Sequence, residues 1–106
     1  MSTLEGPKAL VEETVKQTKK VDILINNAGW AVMKPLDEVT LDQWNLMVNL
    51  NGRGTFLITQ AVLPYLANKS RIVNISSTAA RTGYVGSTVY CGTKAMVEAF
   101  TRCWAL

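Results

Sequence analysis

The 106-residue chain contains no histidine, which removes the side chain most often used to move protons or hold metals near neutral pH. Only two cysteines are present, Cys91 and Cys103, and without histidine they cannot make a Cys/His zinc site. Both fall in one expected helix about 18 Å apart, too far for an intrachain disulfide. A reducing, cytoplasmic setting suits such a chain. No stretch is long and apolar enough to span a bilayer, since the longest uncharged segment, residues 54–68, carries Thr59, Gln60, Pro64 and Asn68. Residues 1–6 lack the basic flank and apolar run of a signal peptide. There is no run of Lys or Arg. The 11 basic and 8 acidic residues are scattered, as on a solvated surface, so no nucleic-acid partner is expected.

A globular core can be built from what is present: 48% of residues are hydrophobic and 18% charged. Residues 7–20 carry Leu10, Val11, Thr14, Val15 and Thr18 at helical spacing, with Pro7 suited to a first turn. Residues 21–26 read as a largely buried strand, followed by a loop to about Val39. Thr40 and Gln43 form a capping box that opens a long helical stretch, 41–67, expected to bend at Gly52, Gly54 or Pro64. Residues 71–76 make a second buried strand, 77–87 a loop, and 88–106 a last helix. Helix, strand, helix, strand, helix with long crossovers predicts an α/β fold with parallel strands.

Tyr90 and Lys94 stand one helical turn apart and can share a face. An ammonium beside a phenol favours the phenolate, and such a phenol can exchange a proton with a carbonyl or alcohol oxygen. Taken alone, the pair is better read as a surface lysine beside a half-buried tyrosine. Ser77 lies just past a predicted strand, where parallel α/β sheets present their ligand crevice. Its hydroxyl could hold a substrate oxygen near Tyr90, although Ser76 and Ser77 also suit a plain strand-to-turn boundary. Asn26, Asn27, Ala28 and Gly29 occupy the matching end of the other strand, where glycine allows close approach of a ligand. Asn49 and Asn51 are poor choices for a helix interior that buries Leu46, Val48 and Leu50, because a buried Asn needs hydrogen-bond partners.

Together these elements resemble the short-chain dehydrogenase/reductase family over nearly all of the chain, most closely its 3-oxoacyl-carrier-protein reductase-like and carbonyl reductase-like members. The family's strand-end motif is matched by Asn26-Asn27-Ala28-Gly29, and its helix asparagine by Asn49 in Val48-Asn49-Leu50. Its YxxxK signature is matched by Tyr90-Cys91-Gly92-Thr93-Lys94, and its serine, thirteen residues earlier, by Ser77 rather than Ser76. The resemblance implies a Rossmann-like doubly wound parallel sheet and hydride transfer between NADP or NAD and a small carbonyl or alcohol substrate. It implies Tyr90 as general acid/base, Ser77 orienting the carbonyl, Lys94 tuning Tyr90 and bonding the nicotinamide ribose, and Asn49 anchoring a water. Asn26, Asn27, Ala28 and Gly29 would lie along the cofactor. Trp30, Met33, Tyr84 and Val85 follow the strand ends and suit either the walls of a substrate pocket or, equally, ordinary loop packing.

One family feature has no counterpart here. No glycine-rich turn of the GxxxGxG kind occurs, nor the residue beside it that chooses between NAD and NADP. Residues 1–106 are therefore expected to form a partial NAD(P)-binding domain: a central fragment with about two strands and three helices. The helices in 41–67 and 88–106 would serve homo-oligomerisation in a full-length form. An isolated fragment of this kind is expected to be non-catalytic and, with unpaired strand edges, poorly soluble.

Overall fold

The computed structural model describes residues 1–106. Its regular elements are α1 (Gly6–Thr18), β1 (Val21–Asn26), α2 (Leu41–Met47), α3 (Thr55–Val62), β2 (Leu66–Asn74) and α4 (Thr88–Trp104). The two strands pair in parallel, with Leu24 opposite Ile72, Ile25 opposite Val73 and Asn26 opposite Asn74. This is the expected partial α/β fold. Pro7 sits in the first turn of α1, and Lys19 ends that helix in the left-handed region at φ 66°.

The core lies between α1, α3 and one face of the sheet. Val11, Ile58 and Val62 are buried there, with Val15, Val21, Leu24, Ala61 and Leu66 packed against them. The other sheet face departs from the expectation of largely buried strands. Side chains alternate along a strand, and no helix of this chain covers the side carrying Ile23, Ile25, Val73 and Ile75. These four remain between 41% and 61% exposed. A parallel sheet ordinarily has both faces covered, and here one face is apolar and open.

The 41–67 stretch is not one helix. Backbone of π type, Val48–Gly54, separates α2 from α3, and a short 3₁₀ turn, Leu63–Tyr65, follows. The widened turn coincides with Gly52 and Gly54, which weaken regular helix. β2 then begins at Leu66, five residues before its expected start. Its opening residues do not follow the later register: Val21 faces Leu66, whereas Ile23 already faces Arg71. The surplus residues form a bulge in which Lys69 is held at φ 61°. The strand stops at Asn74, so Ser76 and Ser77 lie beyond the ladder, whose last added rung is the Ile75 N–H to the Asn26 carbonyl at 3.0 Å.

At the start of α2 the Thr40 hydroxyl accepts from the Gln43 N–H at 3.1 Å, and the Gln43 side chain accepts from the Thr40 N–H at 3.0 Å. Both halves of the capping box are thus formed. Thr40→Ala is expected to lower unfolding stability by about 1 kcal/mol, with Thr40→Ser close to neutral. Urea titration of the three proteins checks this.

Candidate active site

The carboxyl ends of β1 and β2 are tied together by amides. Asn26 donates through Nδ2 to Asn74 Oδ1 at 2.7 Å and to Thr59 Oγ1 at 3.2 Å, joining β1 to β2 and α3. Asn74 in turn donates to Thr101 Oγ1 on α4 at 2.9 Å. Both Asn26 donor hydrogens are consumed inside the fold, which leaves that residue only its carbonyl lone pairs for a ligand. Asn27, Ala28 and Gly29 follow as exposed backbone. A cavity of about 130 Å³ opens beside them, bordered by Asn26, Asn27, Ala28, Leu50 and Ile58.

Lys94 is brought to this end by α4. It is only 6% exposed, and its Nζ donates to the Ile75 carbonyl at 3.0 Å. Burial pushes its amine below the ordinary lysine range. The Tyr90 ring lies one turn earlier, its centroid 5.7 Å from Nζ. Ser77 has extended backbone (φ −159°), and its Oγ accepts the Ala79 N–H at 3.1 Å, opening a 3₁₀ turn over Thr78–Ala80. That bond uses a lone pair and leaves the hydroxyl proton free to donate.

The helix asparagine at this site is Asn51, not Asn49. Asn51 is 1% exposed. Its Oδ1 accepts the Trp30 N–H at 2.8 Å, and its Nδ2 donates to the Trp30 carbonyl at 2.8 Å and to Thr93 Oγ1 at 3.1 Å. Thr93 passes the connection on to the Tyr90 carbonyl at 2.8 Å. A side-chain carbon placed on Gly29 would lie 3.3 Å from Asn51 Oδ1 and 3.6 Å from Lys94 Nζ, so β1, the π segment and α4 converge there. Asn49 is partly exposed and makes no side-chain hydrogen bond. Asn51 follows buried Met47 by four residues and precedes buried Thr55 by four, so it lies on the inward face, whereas Asn49 falls on the opposite side of the helix. The signal available in the sequence was Gly52 beside Asn51: a close-packed helix position next to a buried polar group.

The expected pocket walls are only partly assembled. The loops after β1 and β2 are laced together: the Lys34 N–H donates to the Gly86 carbonyl at 2.9 Å, and the Ser87 hydroxyl donates to Met33 Sδ at 2.9 Å. Gly86 adopts φ 77°, which suits glycine, and Lys34 backbone presses against it. Trp30 is fixed through its backbone by Asn51, and the Tyr84 hydroxyl pairs with Thr78 Oγ1 at 3.0 Å. Val85 does not fit the expectation. It is 98% exposed at the tip of a turn and walls nothing in this chain. A larger groove of about 580 Å³, lined by Phe56, Leu63, Ile72 and Trp104 among others, lies apart from Ser77, Tyr90 and Lys94.

Parallel strands whose carboxyl ends gather a phenol, an amine and hydroxyls are the architecture of a ligand-binding doubly wound α/β protein. The chain belongs to the short-chain dehydrogenase/reductase family, a family of oxidoreductases: the family model for short chain dehydrogenase matches residues 1–106. It is similar to the short-chain dehydrogenase/reductase FrzI of Cladobotryum sp, 43% identical over 95% of this chain and 39% of that protein. It is also similar to the NADP-dependent 3-hydroxy acid dehydrogenase YdfG of Salmonella typhimurium, 37% identical over 89% of this chain and 41% of the relative. Among solved structures, the blue fluorescent protein from a metagenomic library in complex with NADPH superposes with a TM-score of 0.93 at 36% identity, over 98% of this chain and 42% of that one. The chain thus spans about two fifths of the length of the relatives it matches. No helix is long and apolar enough to cross a membrane.

Two outcomes follow from this geometry. Asn51→Ala should cost roughly 2–4 kcal/mol, because Trp30 loses the partner of both its backbone groups, while Asn49→Ala stays within about 1 kcal/mol; denaturant unfolding separates them. Lys94 has a folded-state value below 10.5, so the unfolded chain binds the extra proton and wild-type stability rises with pH up to that value. Lys94→Met should lack this rise, which unfolding curves in an alkaline pH series would reveal.

Proposed function

We propose that the protein carrying this chain is an NAD(P)-dependent reductase or dehydrogenase that interconverts a small carbonyl compound and its alcohol, with Tyr90 as general acid/base. The observation that carries this reading is the buried Lys94 ammonium, held by the Ile75 carbonyl and placed under the Tyr90 ring, next to the serine pair at the end of β2. Asn51 replaces Asn49 as the asparagine of the site.

The residues present suit the ribose end of a dinucleotide. An ammonium has three donors, and Lys94 uses one within the chain. Its remaining N–H groups, with the exposed backbone of Ala28 and Gly29 nearby, match a vicinal diol. Lys94, Asn27, Ala28 and Gly29 would hold that portion. The named NADP dependence of the Salmonella relative and the NADPH complex of the fluorescent protein support a nicotinamide dinucleotide, NADP or NAD, in this place. Such a cofactor would supply or accept the hydride.

The chain's own side chains would manage the proton. Ser77, with its hydroxyl proton uncommitted, would donate a hydrogen bond to the carbonyl oxygen and hold it beside the Tyr90 phenol. Tyr90 would deliver a proton as that oxygen becomes an alkoxide, and would remove one in the reverse direction. Lys94 would stabilise the negative charge left on the phenol oxygen. Asn51 would keep the loop at Trp30 and the turn at Tyr90 in fixed relation through Thr93. The loops bearing Trp30, Met33 and Tyr84 would border the substrate, and the outer faces of residues 41–67 and 88–106 would serve self-association.

A second reading is favoured by the open sheet face. With Ile23, Ile25, Val73 and Ile75 uncovered, the 106-residue chain alone would be a non-catalytic unit that at most pairs with full-length subunits. Tyr90→Phe should reduce carbonyl-dependent NADPH oxidation at least about 100-fold. Equal rates for the two proteins would remove Tyr90 from the mechanism. Micromolar binding of NADPH by the isolated chain in calorimetric titration would argue against the second reading.

A further inference from the structure

We propose that Glu98 is a positioning residue for Ser77, acting by gripping the chain on both sides of it. The inference rests on the reading of Ser77 as the hydroxyl that orients the carbonyl. Ser77 belongs to neither strand nor helix. It lies between the last rung of the sheet, at Ile75, and the turn that runs to Thr82.

That turn is internally stiff. Ser77 accepts the Ala79 N–H through its side chain and the Ala80 N–H through its carbonyl, and the Arg81 and Thr82 N–H groups both reach the Thr78 carbonyl. A stiff turn still needs an anchor to set where it points. Glu98 supplies two anchors from α4. One carboxylate oxygen accepts the Ser76 hydroxyl at 2.8 Å, immediately before Ser77, and the other accepts Arg81 Nε at 3.1 Å, at the far end of the turn. Ser76 is the principal cause, and Arg81 the second, that holds the Glu98 carboxyl below the usual carboxylate range. Charge-assisted bonds of this kind are the stronger class of hydrogen bond.

Glu98 also lies one turn beyond Lys94, which lies one turn beyond Tyr90, so all three share the α4 face turned toward the end of β2. A single helix face therefore carries the phenol, the amine and the anchor of the serine. Any slip of α4 moves these three groups together instead of separating them.

The two anchors differ in weight. Arg81 is 81% exposed along its side chain, and an ion pair so open to water contributes little. The Ser76 bond is therefore expected to dominate. In the whole protein that carries this chain, Glu98→Ala should lower kcat about tenfold, the size of effect that a small misplacement of an orienting group produces. KM for NADPH should not change. Ser76→Ala should reproduce most of the loss, Arg81→Ala little of it, and Glu98→Gln, which still accepts from Ser76, should recover most of the rate.

Tyr90→Phe serves as the control. If Tyr90→Phe is inactive while Glu98→Ala keeps wild-type kcat, the positioning role is wrong and the proposed function stands. If Tyr90→Phe is fully active, both fall. Should Glu98→Ala fail to fold, Ser76→Ala and Glu98→Gln decide: a kcat equal to wild type in Ser76→Ala overturns the proposal.

Discussion

Everything at the candidate site is referred to one contact, the Lys94 ammonium against the Ile75 carbonyl. Placing a charged amine where only 6% of the residue meets solvent is unfavourable unless a strong acceptor compensates. Ile75 can be that acceptor because its carbonyl lies just past the last sheet rung. The strand ladder, which ends at Asn74, leaves it unspent. The end of β2 therefore selects where α4 may sit, and α4 carries the phenol with it.

The amides make this placement cooperative. Asn26, Asn74 and Thr101 form a chain from β1 through β2 to α4, and Asn51 and Thr93 form a second from the loop at Trp30 to the turn at Tyr90. Each of these amides is bonded to partners on other elements, so losing one leaves donors or acceptors stranded elsewhere. Such networks specify one arrangement of strands and helices more sharply than apolar packing, which tolerates sliding. The buried apolar set is small here, and the polar links bear much of the task of defining geometry.

What could be seen in the sequence follows the range of the interactions involved. β1 was legible to the residue, since six branched and polar positions ending at Asn26 obey a local rule, and the Thr40–Gln43 box is equally local. The crossover logic that makes β1 and β2 parallel needs only element order. Three features were hidden because their cause lies outside the local chain. The role of Asn51 depends on Trp30 and Thr93, partners far along the chain that its own helix does not reveal. The early start of β2 depends on β1 offering a partner to Leu66. The open sheet face depends on which helices exist to cover it, and Ile23 and Ile25 look identical in sequence whether covered or bare. Glu98 was invisible for the same reason. A lone acid on an amphipathic helix reads as solvated until the serine and arginine of a distant turn are folded onto it.

The irregular opening of β2 has a consequence for how the chain can vary. Residues 67–70 are out of step with β1, yet pairing is regular again from Ile23 and Arg71 onward. Changes of length in that stretch are absorbed at the amino end of the sheet, the end remote from Asn26 and Asn74. The bulge would thus act as an expansion joint, taking up a longer or shorter stretch beside Lys69 at the end of the strands remote from the site.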